Sequence, residues 1–224
     1  MTISIVARTP DARYFGVAIA SSSPAVASRC AYARAGVGAV ATQNITDPTL
    51  GPSVLESLSR GEGAAQALDA ALAATPFAAY RQVLAVCARG APAIHSGAHA
   101  LGVVGSANGA DAAAAGNLLA NSGIPNAMIA AFESAGGHFA ARLLCALQAG
   151  AAQGGEAGPI HSAGMLVVRD VAWPIVDLRV DWTDGDPVAE LAGIWKIYAP
   201  QIDAYVQRAL DPTRAPGFGV PGDP

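Results

Sequence analysis

The strongest constraint on the fold of this chain is a set of short apolar runs that occur in pairs. A turn-like stretch joins the two runs of each pair. Three segments have this form: "ISIVARTPDARYFGVAIAS", "YRQVLAVCARGAPAIHSGA" and "HSAGMLVVRDVAWPIVDLRVDW". Apolar runs of this length, bounded by Gly, Pro and Asp, are typical of antiparallel β-hairpins. The pattern therefore predicts antiparallel sheets rather than alternating βαβ units.

Segments between and after the hairpins predict one further strand and several helices. "AGVGAVATQN" favours a strand, whereas "GPSVLESLSRG" and "GAAQALDAALAATP" have helical spacing and end at Gly61 and Pro76. Two more helices are expected on either side of Gly136–Gly137, and the last helix breaks near Pro200. "DAAAAGNLLAN" is ambiguous between strand and helix. The order indicates an α+β protein with one domain over residues 1–210 and an irregular Pro/Gly-rich tail over 211–224.

Composition excludes several classes of partner. Hydrophobic residues make up 52% of the 224 residues and charged residues 13%, which indicates a compact, largely buried chain. A net charge of -4 gives no electrostatic reason to expect nucleic acid. No apolar stretch is long enough to cross a bilayer, and the first residues lack the basic start of a signal peptide. We therefore expect a cytoplasmic protein that binds neither nucleic acid nor membrane.

The cysteines give no sign of a disulfide framework or a zinc site. Cys30, Cys87 and Cys145 are scattered singly, with no paired spacing and an odd count. Cys87 and Cys145 lie in apolar periodic segments, so both are expected to be core residues. We expect neither a metal nor another cofactor.

The first strand begins directly after the initiator, which draws attention to Thr2. Ile3, Ile5 and Ala7 would face one side of this strand and the other side would carry Thr2, Ser4 and Val6. Methionine aminopeptidase removes an initiator that precedes a small residue, so we expect the mature chain to begin at Thr2. An α-amine has a pKa of about 7.7–8.0 and can then act as the base for its own hydroxyl. Thr2 as an ordinary second residue, and Ser4 or a serine of 21–23 as nucleophile, are the alternatives.

The stretch "MTISIVARTPDARYFGVAIASSSPAVASRCAYARAGVGAVATQN", with "GPSVLESLSRG" and "HSAGMLVV", resembles a bacterial family of unknown function, domain of unknown function 1028. The similarity covers nearly the whole chain. That family is grouped with the N-terminal nucleophile (Ntn) hydrolases. The resemblance implies a four-layer α-β-β-α sandwich of two antiparallel sheets flanked by helices, and it implies no settled reaction.

A looser resemblance to proteasome-type Ntn hydrolases concerns single positions. In those enzymes the second strand ends in an acidic residue near the nucleophile, whereas here it ends at Ser21, followed by Ser22. They also carry a lysine on the third strand. Lys196 is the only lysine of this chain, so that role is empty or is taken by Arg29 or Arg34.

Other positions match related enzymes more closely. "AAAAGN" ends at Asn117, where related sheets end in a small turn that faces the nucleophile, and its amide is expected to donate to the developing oxyanion. The loop "GEAGPIHSAG" corresponds to the loop that supports the terminal amine, and it supplies Glu156, His161 and Ser162. For His161, a solvated residue that enters a strand is the alternative interpretation.

These positions together predict an amidohydrolase of small amides, ureido compounds or cyclic imides; the alternative is a non-catalytic small-molecule-binding or scaffolding protein. Arg29 and Arg34 favour a carboxylate on the ligand, although pairing with surface acids explains them equally well. Wide apolar surfaces on the helices predict a homodimer or larger assembly. The expected substrate-binding residues are Ser21, Ser22, Arg29, Arg34 and Asn44.

Overall fold

The computed structural model of the protein describes residues 2–220, and Met1 and residues 221–224 lie outside that range. Its strands form two antiparallel sheets, which confirms the α+β class. The first sheet has the order β10-β9-β2-β1-β8-β7 and the second the order β3-β4-β5-β6. The strands are β1 (Thr2–Arg8), β2 (Phe15–Ser21), β3 (Ala31–Arg34), β4 (Gly38–Asn44), β5 (Arg81–Cys87), β6 (Ala93–Ser96), β7 (Gly105–Asn108), β8 (Ala112–Asn117), β9 (Ser162–Val168) and β10 (Val176–Val180).

Apart from the short helix at Ala27–Cys30, which was not predicted, the helices follow the sequence signals closely. Gly137, at a φ of 85°, separates two helices at the predicted glycine pair, and Pro200 lies in a 3₁₀ turn between the last two helices. The helices are α1 (Ala27–Cys30), α2 (Leu50–Ser59), α3 (Ala64–Ala73), α4 (Ile124–Ser134), α5 (Phe139–Ala152), α6 (Pro187–Tyr198) and α7 (Ile202–Leu210). Short 3₁₀ turns occupy Ala78–Tyr80, Ala199–Gln201 and Pro212–Arg214.

Three clusters of buried apolar side chains make up the core. The largest joins one face of the first sheet to α4, α5, α6 and α7. The second joins the other face of that sheet to β4 and β5, and the third joins the second sheet to α2 and α3. Each sheet is therefore packed on both of its faces.

The central position of β1 fixes which of its side chains face which cluster. β1 pairs with β2 along one edge, from Ile3–Ala20 to Arg8–Phe15, and with β8 along the other. Ile3 and Ile5 belong to the cluster with the helices, whereas Val6 belongs to the cluster between the sheets. Since side chains alternate along a strand, Thr2 and Ser4 share the face of Val6.

Some local expectations need correction. The short strands β3 and β7 were not predicted, because four residues with little apolar alternation give no clear strand signal. "AAAAGN" is a strand, since it is buried between β1 and β7. The prediction of a core position for Cys145 is wrong: Cys145 is exposed on α5, while Cys30 and Cys87 are buried.

Gly16 in β2 allows α5 to pack directly on the first sheet, and we expect Gly16→Ala to destabilise the protein. An added Cβ would lie 2.7 Å from Leu143 Cδ1 and 2.9 Å from the Leu166 carbonyl oxygen. Because the carbonyl belongs to the paired backbone of β9, it cannot move aside easily. The free energy of unfolding, measured by urea denaturation, should fall by about 1–3 kcal/mol.

Gly193→Ala is the matched control. Gly193 lies within α6, and nothing lies within 4 Å of the Cβ that alanine would add. Alanine is favoured over glycine inside a helix, so the control should be neutral or stabilising by up to about 1 kcal/mol. Equal loss of stability in both variants would contradict the packing argument.

Candidate active site

Thr2 lies where β1 begins, in the interior of the first sheet. It is paired with Asn117 of β8, and its Oγ1 lies 3.4 Å from Ser21 Oγ at the end of β2. Thr2 is 5% exposed. The hairpin and the β1–β8 pairing thus bring three of the residues singled out in the sequence together at one end of the sheet.

Two buried glutamines of the second sheet form hydrogen bonds with each other and with Asn117. Gln82 Oε1 accepts hydrogen bonds from Gln43 Nε2 at 2.8 Å and from Asn117 Nδ2 at 3.1 Å. Sequence reasoning did not select either glutamine. The signal was nevertheless present, because a glutamine inside an apolar strand such as "RQVLAVC" is an unusual buried residue.

Glu156 brings a carboxyl group to the same end of the sheet. It forms an isolated β-bridge with Leu119, two residues after Asn117, and its Oε2 accepts a hydrogen bond of 3.1 Å from the backbone N–H of Ser22. Its Oε1 is buried without a hydrogen-bond partner among the described residues. Burial raises the pKa of the Glu156 carboxyl to about 7, against the opposing effects of the positive N-terminus and the bond from Ser22.

Ser162 lies within hydrogen-bond reach of the loop that follows β2. It is fully buried and opposite Ser21, and its hydroxyl donates to the Ser23 carbonyl oxygen at 2.6 Å. Ser162 Oγ also accepts a hydrogen bond from the backbone N–H of Val26 at 3.3 Å. These bonds hold the chain that leads from β2 into α1, so Ser162 shapes the loop that carries Ser22.

His161 lies beside this loop, half-buried. Its Nδ1 is 2.8 Å from the Thr183 carbonyl oxygen, and since a carbonyl only accepts, Nδ1 is the donor of this bond. The ring stacks on Trp182 with centroids 4.2 Å apart and planes inclined by 10°. Trp182, half of which is exposed, was not among the residues that the sequence suggested.

The remaining expected substrate-binding residues lie in different parts of the fold. Arg29 donates to the backbone oxygens of Pro24 and Ala25 and so supports the loop after β2. Asn44, at the end of β4, bonds the Tyr80 carbonyl and the Leu101 N–H. Arg34 pairs with Gly38 at the end of the second sheet that lies away from Thr2. Its side chain forms an exposed ion pair of 3.2 Å with Glu56.

Two further properties concern residues 2–220. No cluster of three or more His, Cys, Asp and Glu side chains in this range has an arrangement able to hold a metal ion. No helix within the same range is both long enough and apolar enough to cross a membrane.

Comparison with known proteins now identifies the family. The model of the family of unknown function DUF1028 matches residues 2–191, which include Thr2, Asn117 and Glu156. The chain belongs to this family. No curated protein sequence gives a significant match.

A solved structure of the same family supports the fold. The chain is similar to protein SPO2555 from Silicibacter pomeroyi, of the same family, with 28% identity and a TM-score of 0.85 over 92% of this chain and 90% of that one. A second structure, Thiobacillus denitrificans BPH in complex with epoxomicin, is 17% identical with a TM-score of 0.38, over 75% of this chain and 98% of that one.

The raised pKa of Glu156 predicts a pH-dependent stability. In the folded protein burial favours the protonated carboxyl, whereas in the unfolded chain the group titrates near its ordinary value of 4.5. As the pH rises from about 4.5 to 7, the unfolded state therefore loses the proton first, and the free energy of unfolding falls. Glu156→Gln removes this penalty and should stabilise the protein by up to about 3 kcal/mol at about pH 8, with no gain at about pH 4.

Urea denaturation at several pH values measures the difference. Glu56→Gln is the control, because the Glu56 carboxylate is exposed and forms an exposed ion pair with Arg34. This control should change stability by less than about 1 kcal/mol and should leave its pH dependence as in the wild type. If the free energy of unfolding of Glu156→Gln changed with pH in parallel with that of the wild type, the result would contradict the claim that the buried Glu156 carboxyl is protonated near neutral pH.

Proposed function

We propose that this protein is an amidohydrolase whose nucleophile is Thr2 Oγ1, activated by the α-amine that cleavage of the Met1–Thr2 bond exposes. The observation that carries the proposal is the place of this hydroxyl at the start of an interior strand, 3.4 Å from Ser21 Oγ and paired with Asn117. A fixed hydroxyl with an adjacent amine is the arrangement that N-terminal threonine catalysis requires.

The neighbouring groups supply the other parts of an acyl transfer. Thr2 Oγ1 attacks the carbonyl carbon while its proton passes to the α-amine, and the amine then protonates the departing nitrogen. Asn117 has a second amide N–H besides the one bonded to Gln82, and that N–H donates to the oxygen of the tetrahedral intermediate. Water then hydrolyses the ester formed on Thr2.

Glu156 holds a proton near the reacting groups. A carboxyl with a pKa of about 7 is partly protonated at neutral pH and so can take up or release a proton with little cost. The bond from the Ser22 N–H fixes one of its oxygens, and the other oxygen is left to interact with the amine of Thr2 or with the substrate.

The proposal extends to the architecture and to the substrates. The three apolar clusters fit a four-layer α-β-β-α sandwich of the Ntn-hydrolase type, with the first cluster under the helices α4 to α7 and the third under α2 and α3. The proposed substrates are small amides, ureido compounds and cyclic imides. A substrate of this size needs no long binding groove of the kind that a polypeptide chain would need.

Variants of Thr2 test the proposal on a panel of these substrates. Thr2→Ala and Thr2→Val remove the attacking oxygen, and both should lower turnover by about 10³-fold or more. Thr2→Ser keeps a hydroxyl beside the amine and should retain part of the activity. The wild-type rate should also fall as the amine is protonated below about pH 7–8.

Mass spectrometry of the intact chains must first show Thr2, or its replacement, as the first residue. A retained Met1 would overturn the proposal and favour a non-catalytic binding protein. Ser4→Ala is the control, because Ser4 lies on the same face of β1 but is fully buried. It should keep wild-type turnover, and a loss of activity in this variant alone would make Ser4 the nucleophile.

We also propose that the chain forms a homodimer or a larger symmetric assembly. Ile194 and Ile197 of α6 are 36% and 70% exposed, which leaves apolar surface on an outer helix. Light scattering at micromolar concentration should give a multiple of the monomer mass, and Ile197→Glu should lower that mass. A monomer mass for the wild type would contradict the proposal.

A further inference from the structure

The side-chain amides of Gln43, Gln82 and Asn117 form a chain whose orientation is fixed by the backbone. Gln43 Nε2 donates to the Ala115 carbonyl oxygen at 3.3 Å, and Gln82 Nε2 donates to the Gly116 carbonyl oxygen at 3.1 Å. A backbone carbonyl accepts and never donates, so each glutamine must turn its nitrogen toward β8. The oxygen of each glutamine therefore points away from these carbonyls.

This orientation also determines that of Asn117. Gln82 Oε1 already accepts from Gln43 Nε2, and it accepts from Asn117 Nδ2 at 3.1 Å. Rotating the Asn117 amide by half a turn would set two oxygens against each other. Asn117 must therefore direct its Oδ1 elsewhere, and this oxygen is buried with no hydrogen-bond partner among the described residues.

The unpartnered oxygen lies beside Thr2. Asn117 and Thr2 are directly opposite each other on neighbouring strands, so their side chains lie on the same face of the sheet. The Cβ atoms of such a pair are about 4.5–5.5 Å apart. A buried acceptor without a partner is unfavourable, and a ligand that offers an N–H to it removes that cost.

We propose that Asn117 Oδ1 accepts a hydrogen bond from an N–H of the ligand bound at Thr2, and that this bond selects primary and secondary amides and ureas over esters and tertiary amides. The inference rests on the proposed function, because it takes the ligand site to be at Thr2. Asn117 thus sets specificity, while Gln82 is a positioning residue that holds the Asn117 amide in this orientation.

Binding of matched ligands to the Thr2→Val protein tests the inference, since this variant has no attacking oxygen and leaves the ligands intact. N-methylbutyramide and methyl butyrate have nearly the same shape, but only the amide has an N–H. Butyramide and N,N-dimethylbutyramide extend the comparison. Dissociation constants from ligand-observed NMR should be about 10- to 100-fold lower for the two ligands that carry an N–H.

Variants of the amide chain, made in the same Thr2→Val protein, separate this bond from general packing. Asn117→Leu should abolish the preference for N-methylbutyramide over methyl butyrate, and Gln82→Met, which removes the acceptor for Asn117 Nδ2, should weaken it. Asn108→Leu is the matched control at the other end of the β7–β8 pair, where Asn108 lies opposite Ala113. It should leave the preference unchanged.

The outcomes distinguish this inference from the proposed function. Equal binding of all four ligands, binding of none, or an unchanged preference in Asn117→Leu would overturn the inference, whatever the turnover assays give. Loss of the preference in Asn117→Leu, with the preference kept in the Asn108→Leu control, would support it even if a nucleophile other than Thr2 were found. Thermal denaturation of each variant shows whether a change in binding reflects unfolding.

Discussion

The pairing of β1 on both of its edges is the constraint on which the rest of the candidate site depends. The strand is held by β2 on one side and β8 on the other, and its faces pack against helices and against the second sheet. A strand enclosed in this way cannot slip by one residue without exchanging its two faces. The register of β1 with β2 and β8 therefore fixes the position of Thr2 relative to Ser21 and Asn117.

Polar groups in the interior are concentrated at the Thr2 end of β1. Toward the other end the space between the sheets is filled by apolar residues such as Val6 and Phe15. Near Thr2 it contains the amide chain, and several buried oxygens there lack partners among the described residues: Ser4 Oγ, Gln43 Oε1, Asn117 Oδ1 and Glu156 Oε1. Buried polar groups of proteins are nearly always hydrogen-bonded, so such a concentration is expected where a ligand binds.

Several residues around this end of the sheet hold the backbone of the neighbouring loops. Ser162 and Arg29 bond backbone oxygens of the loop after β2, and this loop in turn places the Ser22 N–H against Glu156. Leu118, at a φ of 51°, turns the chain directly after Asn117 and lets Leu119 bridge to Glu156. The position of the Glu156 carboxyl group is thus fixed by two segments, the loop after β2 and the turn after β8.

The sequence by itself determined the hairpins, most helix boundaries and the place of Thr2 at the start of a strand, because these depend on patterns within a few neighbouring residues. It also determined that Ser21 lies close to Thr2, because the turn of a hairpin determines which residues of its two strands pair. Only the tertiary structure decided that Gln43 and Gln82 meet Asn117, because these bonds join strands of two different sheets. It also placed Arg34 away from Thr2, since the second sheet carries Arg34 at its opposite end, next to Gly38. The proximity of residues distant in sequence depends on how whole sheets pack, and no local pattern in a single sequence contains that information.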